Sequence, residues 1–114
     1  MVNQPSVEQV IRAGLRAASV RQAVIANNIA NLETPGYKRR AVEFEALLAD
    51  VLDSSRGKLS DVQPQVVEVQ DPQQSEPNLD REVGELVQNV ITHKTYLRLL
   101  NKLYGQMQAA MRVE

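Results

Sequence analysis

The chain's one histidine, His93, is the natural first suspect for acid-base or metal chemistry, since imidazole titrates near neutrality and ligates readily. No cysteine, no second histidine and no carboxylate at a matching ligand spacing accompanies it. His93 falls instead among apolar residues at helical spacing, near Leu86 and Leu97, and reads as a packed or interface histidine. Glu43 and Glu45 could form an acid-base pair, but a charged, exposed neighbourhood would leave both ionised, without the separated pKa values such a pair needs. No phosphate-cradling glycine loop, nucleophile elbow or HExxH stretch occurs. No catalytic residue, cofactor or metal site is therefore assigned, and an enzyme is not expected.

Charge narrows the partners as well. Lys38, Arg39 and Arg40 are the one basic cluster, and Glu43 and Glu45 follow closely in a chain of formal net charge -1. A nucleic-acid footprint needs a broader basic face with stacking or groove-reading elements, so the cluster reads as a solvated or interface charge run and no nucleic-acid partner is expected. No run of about twenty apolar residues is present, and Met1 to Pro5 lacks the basic start and apolar run of a cleaved secretory signal, so neither membrane insertion nor Sec export is expected.

Polar recognition remains. Asn27, Asn28 and Asn31 crowd the end of an amphipathic pattern, although asparagine amides compete with helix hydrogen bonds. Two readings stay open: a fraying helix end with Asn31 near the C-cap, or amides that bond a neighbouring chain and fix the direction of the turn beyond the helix. Thr34, Pro35, Gly36 and Tyr37 then read as a type II turn, with Gly36 free to take positive φ.

The elements that must carry these residues are helices. Ser6 with Gln9 makes a capping box opening a helix to about Asn31, roughly 38 Å long. Its apolar stripe includes Ile11, Leu15, Ala18, Ile25, Ile29 and Leu32, with Gly14 at the edge permitting a close helix contact, and Arg12, Arg16 and Arg21 off the stripe. Phe44, Leu47, Leu48, Val51 and Leu52 predict a short helix from about Val42 to Asp53, stopped by Ser54, Ser55, Arg56 and Gly57. Residues 58–78 are rich in Pro, Gln, Ser and Asp and predict an irregular or extended loop in which only Val66, Val67 and Val69 suggest a strand.

The last third begins at Asn78 or Asp80 as N-cap and predicts a helix of about 50 Å running almost to Glu114. Val83, Val90, Leu97, Tyr104 and Met111 recur every seven residues, with Leu86, His93, Leu100 and Met107 as the companion column. The expected fold is mainly α: long N- and C-terminal helices pairing as a coiled coil, a short middle helix and an irregular or extended central loop. It forms one structural unit in three stretches, 1–41, 42–78 and 79–114. The pairing seam sets Ile11, Leu15, Ile25, Ile29 and Leu32 against Val83, Leu86, Val90, Leu97, Leu100, Tyr104 and Met107. Val87, Ile91, Tyr96, Leu99 and Leu103 widen the apolar sector beyond what one partner helix covers, leaving a remainder that must meet the middle region or another copy.

The string Ala-Asn-Asn-Ile-Ala-Asn over residues 26–31, followed two residues later by Thr-Pro-Gly-Tyr, closely resembles the N-terminal signature of the flagellar basal-body rod and hook proteins. Asn78, Leu79, Asp80, Glu82, Leu86, Asn89 and Tyr96 resemble the closing pattern of the family's proximal rod members. The resemblance implies a structural subunit of the periplasmic rod, exported without a cleaved signal, polymerising around the export channel into the shaft that transmits torque. It further implies contacts with copies of itself, other rod proteins and the rod-to-ring adaptor, extending to the inner-membrane ring and export gate. On this reading Asn27, Asn28, Asn31, Thr34, Pro35, Gly36 and Tyr37 serve subunit registration, and Asn89 and Tyr96 form a second contact face. The alternatives are the other small proximal rod protein and a cytosolic helical adaptor or chaperone.

Overall fold

The computed structural model describes residues 5–54 and 58–112; Met1 to Gln4, the predicted helix stop at Ser55 to Gly57, and Val113 and Glu114 lie outside them. In chain order the elements are α1 (Val7–Ala30), β1 (Arg40–Glu43), α2 (Glu45–Ser54), a 3-10 turn (Leu59–Asp61), β2 (Gln65–Glu68) and α3 (Leu79–Met111). The mainly helical fold with paired terminal helices is as expected, but the middle holds more order than its composition suggested. β1 and β2 pair antiparallel, with Arg40 opposite Glu68 and Val42 opposite Val66. The predicted start of the short helix at Val42 is strand, and the helix begins three residues later, at Glu45.

Both long helices begin where their caps place them. The Ser6 hydroxyl accepts from the Gln9 amide at 3.1 Å while the Gln9 side chain accepts from the Ser6 amide at 2.9 Å, which satisfies two otherwise orphaned donors. At α3 the Asn78 side chain accepts from the Arg81 amide at 3.2 Å, with Asp80 and Glu82 in the first turn, where the helix dipole favours carboxylates. α1 ends on Asn31, whose backbone amide and side chain both bond back to the Asn27 carbonyl. The Tyr37 amide then closes on the Thr34 carbonyl at 3.2 Å, and Gly36 has φ 76°, as a type II turn requires.

α1 is dry on two faces. Ala13, Ala17 and Val24 pack with Val42, Phe44 and Val62, joined by Val20, Leu48, Val51 and Leu59, so one face of α1 carries the two-stranded sheet and α2. Sequence reading traced only the other stripe, because alanines at three- and four-residue spacing carry little hydrophobic signal. That second stripe faces α3: Ile11, Ala18 and Ile25 are buried, while Leu15, Ile29 and Leu32 are half-buried.

α1 and α3 run antiparallel, and successive contacts give the register: Asn28 meets Glu82, Ala18 meets Asn89, Gly14 meets Tyr96, and Glu8 meets Tyr104. This corrects the predicted seam. Val83, Val90 and Leu97 are 37–44% exposed and lie off the face that meets α1, whereas Tyr104, 37% exposed, still reaches Glu8, and Met107 and Met111 are exposed beyond that contact. The column one residue earlier, Glu82, Asn89 and Tyr96, faces α1 instead. Leu86 and His93 are half-buried beside it, and Leu100 is buried. Polar partners on α1 thus turn the helix by about 50°, half of one residue's 100° step, because one column is exchanged and the other kept.

Gly14 has no room for a side chain. The tyrosine ring of Tyr96 occupies the space where a Cβ at position 14 would lie, so any side chain there must displace the ring. Gly14→Val should therefore lower stability by about 2 kcal/mol in urea unfolding followed by circular dichroism, and Tyr96→Leu in the same chain should recover part of the loss.

Candidate subunit interface

The residues singled out for recognition gather at one end of the α1–α3 pair around Asn28, which is fully buried. Its Nδ2 donates to the Arg40 carbonyl at 2.9 Å and to Glu82 Oε1 at 2.8 Å. Its Oδ1 accepts from the Arg40 amide at 2.9 Å and from the Tyr37 hydroxyl at 3.1 Å. A carboxamide offers two donors and two acceptor sites, so the hydrogen-bonding capacity of Asn28 is filled. One side chain thereby ties the end of α1 to the turn, to β1 and to the first turn of α3.

Arg39 completes the cluster. Its guanidinium is 5% exposed, lies 3.4 Å from the buried Glu82 carboxylate and donates to Glu85 at 2.8 Å. Its backbone amide donates to the Ser75 carbonyl at 2.7 Å, and its carbonyl accepts from Val69, which draws the segment before α3 against β1. Burying two charges costs several kcal/mol each and is offset only by mutual attraction and further hydrogen bonds, both of which this pair has. The basic cluster is thus no uniform surface patch, because its middle member is turned inward and neutralised.

The Asn-rich string divides accordingly. Asn28 is internal, Asn27 is exposed, and Asn31 is half-buried as the helix cap, with its Oδ1 accepting from Thr34 at 3.0 Å. Thr34, Pro35 and Gly36 are exposed, and Tyr37 is half-buried. Asn89 and Tyr96 belong to the contact between α1 and α3 within the chain: Asn89 Nδ2 donates to the Ala18 carbonyl at 2.8 Å, and Tyr96 covers Gly14. The second contact face assigned to them is therefore the one that meets α1 of the same chain, in place of Val83, Val90 and Leu97. Sequence reasoning missed the joint role of Arg39, Glu82 and Glu85. The available signal was Glu82, Asn89 and Tyr96 standing seven apart on one helix face.

Two peripheral ion pairs frame the same assembly. Arg21 spans α1 and the start of α2, donating to both Glu45 oxygens at 2.8 and 2.9 Å and to the Val42 carbonyl at 3.0 Å. These hydrogen bonds hold the Glu45 carboxyl below its ordinary range against an opposing desolvation. At the far end Arg12, then Tyr104, hold Glu8 below the ordinary carboxylate range in the same way.

The surface left over is apolar. Leu79, Val83, Val87, Val90, Ile91 and Leu97 of α3 are all 37–54% exposed. At 100° per residue they fill a sector of roughly 120° beside the seam. Scattered exposed aliphatics are ordinary, but a continuous stripe of them on a helix is the mark of an interaction face. Among the described residues no group of three or more His, Cys, Asp or Glu side chains is placed to hold a metal ion, and no helix is long and apolar enough to cross a membrane.

Comparison with known proteins bears on the same residues. Residues 9–38 match the family model described as flagella basal body rod protein, a span that covers most of α1 and the turn through Tyr37. The chain is 29% identical to the flagellar basal body rod protein FlgB of Bacillus subtilis (strain 168) over 119 aligned positions, covering 90% of this chain and 91% of that protein. It is 50% identical to the FlgB of Borrelia hermsii over 42 residues, which cover 37% of this chain and 31% of that protein.

Two measurements test the clasp and its flanking pair. Asn28→Asp places a second carboxylate against Glu82 and removes a donor, which should cost about 3 kcal/mol or more near neutral pH. The new carboxyl titrates above its unfolded value, so the native state binds the extra proton and stability should return as pH is lowered toward about 5. A loss of thermal stability that does not change with pH would contradict the Glu82 contact. Glu45 has the opposite sign: its folded pKa is depressed, so its contribution is full above the unfolded carboxylate value and is lost as pH falls through the folded one. Urea unfolding of Glu45→Gln should differ from the native chain by no more than about 1 kcal/mol near pH 7, because the carboxylate is exposed, and the difference should shrink as pH falls below the unfolded carboxylate value.

Proposed function

We infer that this chain is a FlgB-like flagellar basal-body rod protein, a structural subunit of the proximal rod. The observation that carries the reading is full-length similarity to a rod protein, joined to a fold whose apolar surface exceeds what one copy covers. α1 is buried on two faces, whereas α3 is covered on one and leaves the flank from Leu79 to Leu97 uncovered among the described residues. At about 25 cal/mol per Å² of apolar area removed from water, repeated burial of such flanks in an array would yield a stiff wall with no catalytic group. Torque would pass through many packed side-chain contacts.

The partners on this reading are copies of the chain, neighbouring rod proteins and the rod-to-ring adaptor, with the inner-membrane ring and export gate at the base. The subunit reaches the periplasm through the flagellar export apparatus without a cleaved signal. Asn27, Asn31 and the exposed turn residues Thr34, Pro35 and Gly36 meet a neighbour, while Asn28 holds the turn in the orientation that the contact requires. Neither nucleic acid nor bilayer insertion has a part.

The direct test is Ile91→Asp. Ile91 is 53% exposed on the outer flank of α3, so the substitution should leave the circular dichroism spectrum and melting temperature of the purified chain within experimental error. It should nevertheless abolish motility and remove the chain from purified basal bodies, since a charge at a packed subunit contact is buried without a partner. Normal swimming would show that this flank faces solvent in the assembly.

A further inference from the structure

We propose that α3 is a releasable arm: it parts from α1 as one unit while α1, the two-stranded sheet and α2 stay folded. Such an arm is a property of the single chain and does not depend on assembly into a rod.

Three observations carry it. First, the buried apolar cluster holds no residue of α3. Ala13, Ala17, Val24, Val42, Phe44 and Val62 come from α1, β1 and the segments on either side of α2, with Val20, Leu48, Val51 and Leu59 packed against them. The cluster is complete without α3, so parting the two long helices leaves its packing in place.

Second, polar groups make up much of the attachment. The buried residues of α3 are Glu82, Asn89 and Leu100, set against Ile11, Ala18 and Ile25 of α1. Glu82 and Arg39 recover on opening the hydration they give up on closing, so their pairing fixes the closed geometry more than it adds net stability. The buried Asn89 Oδ1 has no hydrogen-bond partner among the described residues, a desolvation that opening relieves. Val83, Val87, Val90, Ile91 and Leu97 are exposed in the closed chain already and lose little.

Third, the polar attachments sit at the two ends of the arm, with a joint beside one of them. At the root Asn28 and Arg39 hold Glu82, and Arg39 also holds Glu85; at the tip Tyr104 meets Glu8 and Arg12 on exposed surface. The connector is fixed to β1 through the Ser75 carbonyl, which accepts from the Arg39 amide at 2.7 Å. Glu76 and Pro77 alone separate that anchor from the N-cap Asn78, bridged by the exposed bond from Arg81 to the Gln74 carbonyl. Rotation in a few connector residues swings a rigid helix while the anchor holds. Opening bares Ile11, Ala18 and Ile25, which the closed chain hides, and returns Arg39 and Glu82 to water.

Native-state hydrogen exchange of the full chain under rising urea, read by mass spectrometry, tests the arm. Protected amides of α3 should exchange at least about tenfold faster than those of α1, with a shallower urea dependence, because the opening exposes less surface than unfolding. Two substitutions separate the units. Glu82→Gln should speed exchange in α3 about tenfold and leave α1 unchanged, whereas Phe44→Leu should speed α1 and leave α3 unchanged. Leu100→Ala replaces Glu82→Gln, and Val62→Ala replaces Phe44→Leu, should either chain fail to fold. Exchange of α1 together with or ahead of α3, or a substitution that shifts both helices equally, shows one cooperative unit and overturns the arm.

Discussion

A carboxamide with no hydrogen-bonding capacity to spare lies at the centre of this fold. The Asn28 side chain is bonded to the strand, the turn and the second long helix at once, and it sits in full burial where each broken bond would cost about 1–3 kcal/mol. No other common side chain has that size with two donors and two acceptors. The Arg39–Glu82 pair depends on the same arrangement, since the carboxylate that Asn28 approaches is the one Arg39 accompanies. Hydrophobic contact alone would let the two long helices slide or rotate against each other. The polar clasp gives them one register, and Gly14 under Tyr96 gives them one separation.

That constraint has consequences outside the helices. Once Asn28 faces inward, the turn from Asn31 to Tyr37 projects from a fixed point, and its exposed residues have a defined orientation toward any neighbour. The two-stranded sheet is pinned by the same amide through Arg40 and by Arg21 through Val42. The loop after β2 is drawn in by the backbone of Arg39. The middle of the chain is thus held twice, by the packing of Val42, Phe44 and Val62 on α1 and by main-chain and charged contacts to residues from both ends.

The sequence made most of the architecture legible because its strongest signals were local. Ser6 with Gln9, Asn78 ahead of an acidic turn, and Pro35-Gly36 act within a few residues of themselves, and each was read at its observed place. The apolar columns of α3 were legible as columns, but not which of them turned inward. Hydrophobic periodicity ranks glutamate and asparagine as outward residues, whereas Glu82 and Asn89 point in because their partners, Asn28 and the Ala18 carbonyl, are 54 and 71 residues away. The same blindness hid Arg39, which looked like one of three surface cations. β1 went unread because four residues with one buried valine give almost no alternation, and its pairing with Val66 and Val67 is long-range.

The grip of Asn28 on Arg40 also decides how β1 can meet other chains. By engaging both the amide and the carbonyl of one residue, Asn28 imitates the hydrogen bonding of an adjoining peptide, and Arg21 occupies the Val42 carbonyl two positions along. The outer edge of β1 is therefore capped by side chains and closed to cross-β recruitment. Strand-by-strand growth from that edge would first have to displace both side chains from their carbonyls.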